Sequence, residues 1–262
     1  MKQYIVDAFT DRAFHGNPAA ICVMDQWPNE QLMMDIAMEN NLSETAFIVK
    51  EEDLYHLRWF TPTCEVGLCG HATLASGYTI LNFYDKDSDK VSFKTLAGNL
   101  TVSRSNGMYE LLFPNIPLQP MEITEDIMVA LGCLPEEVVM GKELDLICVL
   151  QDANQVKDFV PNAELIKKLP GRMLHITAPG IGQYDCCSRC FGPKIGILED
   201  PVCGSAHCQI IPYWAKRLGK TTINAWEASY RGGALQGEIL NDEQLIIRGN
   251  ATLFAESDIR TS

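Results

Sequence analysis

The stretch RWFTPTCEVGLCGHAT at residues 58–73 decides the fold, because its pattern is written twice in the chain. Downstream, RCFGP at residues 189–193 and EDPVCGSAH at residues 199–207 repeat the order Arg-x-Phe-x-Pro, a short spacer, and Glu-x-x-x-Cys-Gly-x-Ala. The two copies lie about half the chain length apart. We interpret them as the trace of a duplication in which each half of the chain supplies one wall of a single site.

Each copy leads through Cys-Gly into a run that can be helical, residues 72–81 in the first and residues 206–218 in the second. The second run meets Gly219, a residue typical of a helix C-terminal cap. The start of a helix offers unpaired backbone N–H groups and the positive end of the helix dipole, which together attract anions. Two such helix starts predict a pocket for a small molecule that carries a carboxylate.

The chain has 262 residues, a formal net charge of −13 and 47% hydrophobic residues, values typical of a soluble globular protein with one large domain or two small ones. The acidity argues against a nucleic-acid partner, because phosphates demand a basic protein face. No run approaches the roughly 18 apolar residues of a membrane-spanning helix, and the start of the sequence lacks a signal-peptide hydrophobic core. We therefore predict a cytoplasmic protein with no membrane partner.

The ten cysteines of the chain fit no disulfide-rich secreted scaffold at this length. The densest group, Cys186-Cys187-x-x-Cys190, has a faint likeness to a metal or redox cluster. A second pair at zinc-finger spacing does not accompany it. The sequence therefore favours reduced thiols that are buried and inert, with no metal site.

Strands outnumber helices in the pattern of the chain, which indicates an α+β protein. A strand meander is predicted up to residue 113, and three prolines between residues 114 and 120 then break regular structure as in a linker. The predicted halves are therefore residues 1–113 and 114–262, with the last strand able to cross back to the first half.

Ser43 and Glu44 stand directly before the apolar, strand-like segment of residues 45–49. A carboxylate at the start of a buried strand, in otherwise apolar surroundings, favours a raised pKa and a role in proton transfer. An exposed turn is the common alternative for a Ser-Glu pair. The residues alone leave both interpretations open.

Five motifs are specific as a set: GNPAA at 16–20, NLSETAF at 41–47, RWFTP at 58–62, LCGHAT at 68–73 and EDPVCGSAH at 199–207. Together they resemble the phenazine-biosynthesis PhzF-like family, within the diaminopimelate-epimerase-like fold, and the match runs nearly from end to end. The resemblance implies two similar halves, each a curled and mostly antiparallel sheet around a central helix, with the site in the cleft between the halves. It also implies a homodimer, a small anionic metabolite as the ligand, and no cofactor.

The functional positions of that family carry over to residues of the expected type in this chain. Glu44 resembles the acid/base that moves a proton on carbon. The resemblance implies that three further catalytic residues position the substrate and assist the transfer, and these are His71, Asp200 and Ser205. It also implies that Ser43, Gly70 and Gly204 bind the substrate, the two glycines through their backbone at the helix starts.

A second mechanism is chemically available, because the wider relatives, diaminopimelate epimerases and proline racemases, use two cysteines at the same helix starts. This chain has both, as Cys69 and Cys203. A thiol at a helix N-terminus has a lowered pKa and can take or give a proton. Against this mechanism, the bulky His71 beside Cys69 should fill part of the pocket, and a small buried residue at position 203 needs no chemistry. We favour Glu44, with a two-thiol epimerase or racemase and a non-catalytic metabolite-binding protein as the alternatives.

Overall fold

The computed structural model describes residues 1–52, 54–141 and 145–260. Contacts between residues divide the chain into two compact units. The first combines Met1–Leu112 with Arg248–Ser262, and the second is Phe113–Ile247. The last strand therefore lies in the unit that contains the start of the chain.

The strands of the first unit form a mostly antiparallel sheet. They are β1 (Lys2–Ala8), β2 (Asn17–Met24), β3 (Glu44–Glu51), β4 (Leu54–Phe60), β5 (Glu65–Val66), β6 (Lys90–Thr95), β7 (Gly98–Ser105), β8 (Met108–Pro114) and, near the end of the chain, β18 (Ala251–Asp258). β1 pairs antiparallel with both β2 and β18, whereas β2 with β3 and β4 with β6 are parallel pairs. The pairs β3–β4, β4–β5, β6–β7 and β7–β8 are antiparallel.

Among the described residues, two α-helices accompany this sheet, α1 (Glu30–Asn40) and α2 (Gly70–Thr79), and a π-helical turn at Ile80–Tyr84 follows α2. Asn29 caps the start of α1, because its side-chain oxygen accepts a hydrogen bond from the backbone N–H of Leu32. α2 packs against β1, β2, β3, β7 and β18. Its residues are nearly all buried, because the run 72–77 carries small or apolar side chains on every side of the helix. α2 is the central helix of this unit.

α2 approaches β7 so closely that one helix position has no room for a side chain. A Cβ atom added at Gly77 would lie 2.4 Å from Cγ1 of Val102, far inside van der Waals contact. Gly67, in the loop before α2, has nothing within 4 Å of the corresponding position. The glycine at position 77 therefore allows the close approach of α2 to the sheet.

We expect Gly77→Ala to lower the free energy of unfolding, because overpacking costs about 1–3 kcal/mol and outweighs a gain of about 0.5–1 kcal/mol in helix propensity. Urea denaturation of the wild type and the variant measures the difference. Gly67→Ala is the matched control and should be nearly neutral. In the double variant, Val102→Ala should recover part of the stability that Gly77→Ala loses, because it makes room for the added methyl group. If the losses of the two single variants simply add in the double variant, the close contact is contradicted.

The second unit contains the other nine described strands and its own buried helix. Its strands are β9 (Leu118–Pro120), β10 (Glu137–Gly141), β11 (Leu146–Val149), β12 (Leu174–Pro179), β13 (Cys186–Gly192), β14 (Ile197–Asp200), β15 (Thr222–Glu227), β16 (Gly233–Ile239) and β17 (Gln244–Gly249). Its helices are α3 (Glu125–Leu131), α4 (Ala153–Lys157), α5 (Ala163–Ile166) and α6 (Gly204–Leu218). The pairs β11–β12 and β13–β15 are parallel, and the pairs β9–β10, β10–β11, β12–β13, β13–β14 and β15–β16 are antiparallel.

α6 is the longest helix of this unit among the residues that the structure describes, and it packs against β15 and β16. It runs through Pro212 and ends at Gly219, whose φ of 66° is the left-handed conformation that favours glycine. The C-terminal cap that the sequence predicts is therefore confirmed. Within the described ranges, no helix is both long and apolar enough to cross a membrane.

The predicted α+β class, with two units that each hold a mostly antiparallel sheet and a buried helix, is confirmed. The prediction of an irregular proline-rich linker is wrong at Leu118–Pro120, because this segment pairs with β10 as a short strand. Proline is tolerated at the edge of a sheet, where no partner needs its missing N–H. The three cysteines at 186, 187 and 190 lie buried in β13, as expected of inert thiols.

Candidate active site

The first copy of the signature brings a cysteine, a histidine and a glutamate together. Cys69 is the N-cap residue of α2, and His71 lies in its first turn. Glu44 is the first residue of β3, where its register partner on β2 is Ala19. The Nε2 atom of His71 lies 3.2 Å from Oε2 of Glu44, with only 7% and 13% of the two side chains exposed. Two residues that the sequence assigned to the chemistry are therefore in contact.

His71 is a neutral imidazole near pH 7, because burial lowers its pKa from 6.5 to about 3. Its contact with Glu44 is therefore not an ion pair. Within the ranges that the structure describes, no hydrogen bond reaches Nε2 of His71. A ligand atom that accepts a hydrogen bond can bind to this nitrogen when the nitrogen carries the proton.

The other ring nitrogen of His71 faces two hydrogen-bond donors. Nδ1 lies 3.3 Å from Nδ2 of Asn17 and 3.5 Å from Sγ of Cys69. Asn17 is completely buried at the start of β2. Sequence reasoning included Asn17 only within the GNPAA motif and missed this contact. The available signal was a polar residue directly before a buried strand, inside one of the family motifs.

Glu44, Cys69 and His71 offer three potential metal ligands whose donor atoms lie within 4.8 Å of one another. The thiol of Cys69 lies next to Nδ1 of His71, whereas the carboxylate of Glu44 lies next to Nε2 of the same ring. A metal ion binds imidazole through the lone pair of one nitrogen. The cluster combines a carboxylate, an imidazole and a thiol, three groups that can also take or give a proton.

Ser43 and Gly70 border this cluster along the chain. Ser43 directly precedes Glu44, Gly70 opens α2, and both residues are half-buried. The start of α2 has the free backbone N–H groups of any helix N-terminus. The roles of Ser43 and Gly70 in substrate binding stay predictions.

The second copy of the signature forms a cluster at the start of α6. Cys203 is the N-cap residue of this helix, and its Sγ lies 3.3 Å from Oγ of Ser205. Asp200, the last residue of β14, accepts a hydrogen bond from the backbone N–H of Val202 at 3.3 Å. Gly204 is the buried first residue of α6. The three predicted residues of this half, Asp200, Gly204 and Ser205, therefore surround one helix start.

A buried glutamate that sequence reasoning missed lies behind Cys203. Oε2 of Glu227, at the end of β15, accepts a hydrogen bond from the backbone N–H of Cys203 at 2.7 Å. Burial first, and then the charge of Asp200, raise the pKa of Glu227 well above its usual value. Glu227 therefore accepts a hydrogen bond from a backbone N–H at the start of α6. Its raised pKa also favours the protonated form of its carboxyl group.

The expected lowering of the thiol pKa is wrong for Cys203. A hydrogen bond with Cys190 is the largest influence and lowers the pKa, but burial and the charges of Asp200 and Glu227 together outweigh it. The pKa of Cys203 is therefore raised above 9.0. The lowering of the thiol pKa by the positive end of the α6 dipole is therefore outweighed by burial and by the acidic neighbours of Cys203.

The repeated Arg and Glu of the two signature copies pair with each other in the same way. Arg58 donates hydrogen bonds to both carboxylate oxygens of Glu65, each at 2.7 Å. Arg189 donates to both oxygens of Glu199, at 2.6 and 2.9 Å. Each guanidinium also lies over the ring of the Phe two positions later, at 5.2 and 5.1 Å. The sequence repeat is therefore also a repeat of side-chain structure, held by bidentate ion pairs.

The depressed pKa of His71 gives a testable pH dependence. Between pH 6.5 and about 3, the unfolded chain binds a proton on this residue that the folded chain does not bind. The free energy of unfolding therefore falls by about 1.4 kcal/mol for each pH unit as the pH drops through this window. We expect His71→Gln to remove this contribution, so that urea denaturation at several pH values shows a shallower slope for the variant. Parallel slopes for the two proteins would show that His71 is not buried in its neutral form.

Comparison with known proteins finds similar proteins over nearly the whole chain. A family model described as phenazine biosynthesis-like protein, PhzC-PhzF, matches residues 6–257. An uncharacterized isomerase of Pseudomonas aeruginosa is 42% identical over 257 residues, which cover 98% of this chain and 97% of that protein. The crystal structure of a PhzF-family phenazine biosynthesis protein from Enterococcus faecalis has a TM-score of 0.95 and 44% identity, covering 99% of this chain and 98% of that chain.

A probable proline racemase from Agrobacterium radiobacter shares the fold, with a TM-score of 0.60 over 100% of this chain and 93% of its own, at only 10% identity. The fold class is thus the one found in racemases and epimerases of this kind, as the sequence predicts. Within that fold, the chain belongs to the phenazine biosynthesis-like, PhzF family.

Proposed function

We propose that this chain is a cofactor-independent isomerase or epimerase that moves a proton on carbon of a small carboxylate-bearing metabolite, with Glu44 as the acid/base. The name of the Pseudomonas aeruginosa relative supports the reaction class. The observation that carries the proposal is the buried contact between Glu44 and the neutral His71 at the start of α2.

In the proposed reaction, the carboxylate of Glu44 takes a proton from a carbon next to an electron-withdrawing group, and the electron pair moves onto that group. The proton on Glu44 then returns to a neighbouring carbon or to the other face, and the electron pair forms the new C–H bond. One C–H bond breaks and one forms, so the reaction needs no oxidant or reductant. General acid/base transfer by a positioned group of this kind contributes about 10²–10⁴-fold to the rate.

Two features of the first unit support an anionic substrate. The N-terminus of α2, at Gly70 and His71, presents backbone N–H groups and the positive end of a ten-residue helix. A neutral imidazole with its proton on Nε2 can donate to an oxygen on which negative charge develops. Both features stabilise a carboxylate or an enolate next to the carboxylate of Glu44.

The two-thiol mechanism is the alternative, and one observation favours it. Cys69 and Cys203 are the N-cap residues of α2 and α6, the positions that such a mechanism requires. The raised pKa of Cys203 speaks against it, because the thiolate that would act as a base is scarce near pH 7. We therefore keep Glu44 as the preferred base.

A metabolite-binding protein without turnover is the candidate from another class. To separate it from an enzyme, small amino, hydroxy and unsaturated carboxylic acids are first screened for an increase in Tm. Each acid that binds is then incubated with the protein in D₂O and analysed by mass spectrometry. Uptake of deuterium at carbon supports the enzyme, whereas a Tm increase without deuterium uptake supports the binding protein. The roles of Asp200 and Ser205 in positioning the substrate and assisting the proton transfer stay predictions. The homodimer and the cytoplasmic location stay predictions as well.

A further inference from the structure

Asn17 and His71 form a buried polar contact on the side of the ring that faces away from Glu44. Asn17 is completely buried, and 6% of His71 is exposed. The amide Nδ2 of Asn17 lies 3.3 Å from Nδ1 of His71. On the opposite side of the ring, Nε2 lies 3.2 Å from Oε2 of Glu44. The two nitrogens of His71 therefore face groups of opposite hydrogen-bonding character.

We infer that Asn17 is a positioning residue that fixes His71 in the neutral tautomer with its proton on Nε2, the nitrogen that faces Glu44. An amide N–H of Asn17 can donate to Nδ1 of His71 at 3.3 Å only when that nitrogen is unprotonated and its lone pair is free to accept. A neutral imidazole has one ring proton, so that proton must then lie on Nε2. The role of this tautomer in catalysis rests on the proposed function, whereas the tautomer itself is a property of the protein without ligand.

The opposite tautomer would make both contacts unfavourable. A proton on Nδ1 would point at the amide N–H of Asn17, 3.3 Å away. The lone pair on Nε2 would at the same time face a carboxylate oxygen of Glu44 at 3.2 Å. Inside a protein such mismatched polar contacts are costly, because the low dielectric leaves their repulsion largely unscreened. Asn17 and Glu44 thus select the same tautomer from opposite sides of the ring.

This tautomer has two consequences for the proposed reaction. His71 presents a neutral N–H donor toward the space beside Glu44, where it can stabilise an oxygen that gains negative charge. Nδ1 is also occupied by Asn17, so it is a poor base for the nearby thiol of Cys69. Asn17 therefore favours proton transfer by Glu44 over proton transfer by Cys69.

Nuclear magnetic resonance of the protein labelled with ¹⁵N at the histidine rings tests the inference without any ligand. Long-range ¹H–¹⁵N spectra distinguish a protonated from an unprotonated ring nitrogen, and His71→Gln identifies the signals of His71. We expect Nδ1 to be unprotonated and Nε2 to be protonated in the wild type. A wild-type His71 with its proton on Nδ1 would overturn the inference, even if no variant folds.

Asn17→Asp is the decisive variant, because it keeps the shape of the side chain but offers only acceptors once it is ionised. Since burial favours the protonated carboxyl, the spectra are recorded as the pH is raised from neutral. We expect the proton signal to appear on Nδ1 of His71, either as the other tautomer or as the imidazolium. Cys69→Ala is the matched control and should keep the wild-type pattern. A folded Asn17→Asp protein with an unchanged pattern would contradict the role of Asn17. Failure of the proposed function would instead appear as missing carbon–hydrogen exchange in a protein whose tautomer is as inferred.

Discussion

Glu44→Gln should abolish proton exchange at the carbon of the substrate while it leaves ligand binding largely intact. Glutamine keeps the size and the hydrogen-bonding shape of the side chain, but it cannot accept the proton. Removal of a true general base raises the barrier by about 3–5 kcal/mol, which corresponds to a loss of about 10²–10⁴-fold in rate. The rate of deuterium uptake measures the loss, and the ligand-induced change in Tm measures binding.

Glu51→Gln is the matched control for this substitution, because Glu51 lies at the exposed end of the same strand, β3. It should keep the wild-type rate. Cys69→Ser and Cys203→Ser should lose only a few-fold, through altered packing. If the cysteine variants lose exchange and Glu44→Gln keeps it, the two-thiol mechanism is the better account.

Arg189→Met should cost the second unit about 3–5 kcal/mol in the free energy of unfolding, the usual result when one partner of a buried ion pair is removed. Arg189 is only 8% exposed and donates to both oxygens of Glu199. Its Nη1 also lies 2.6–3.3 Å from the backbone carbonyl oxygens of Val156, Lys157 and Phe159, at the end of α4. The substitution therefore leaves a carboxylate and several carbonyls without their donor.

The first signature copy provides the matched control for Arg189. Arg58 makes the same bidentate pair with Glu65, but a quarter of its side chain is exposed, and its second carboxylate partner, Glu30, lies at the surface. Solvent screens such a pair, so we expect Arg58→Met to cost only about 1 kcal/mol. Urea denaturation of both variants gives the comparison. Equal losses would show that the extra carbonyl contacts of Arg189 contribute little.

The duplicated signature made the fold class and the starts of its two buried helices predictable. A Cys-Gly pair before a small and apolar run is a local signal, and α2 and α6 both begin at that glycine. The C-terminal cap at Gly219 is equally local. The roles suggested for Glu44 and His71 came from the family resemblance, and the contact between them agrees with those roles without testing them.

The contacts that sequence reasoning missed depend on which strands lie next to each other. Asn17 reaches His71 because β2 pairs in parallel with β3 and packs under α2. Glu227 reaches Cys203 from β15, more than twenty positions along the chain. The helix-dipole argument predicted the wrong direction for the pKa of Cys203 for the same reason. The burial and the acidic neighbours that raise it come from tertiary structure, which a local pattern does not contain.

The most direct test of Glu44 as the carbon acid/base is a side-by-side deuterium measurement on one ligand. Wild type, Glu44→Gln and the Cys69→Ser/Cys203→Ser double variant are incubated in D₂O with a carboxylic acid that raises the Tm of all three. Mass spectrometry then follows deuterium at the carbon of that acid. We expect uptake with the wild type and with the double cysteine variant, and none with Glu44→Gln. Uptake by Glu44→Gln at the wild-type rate would contradict the account.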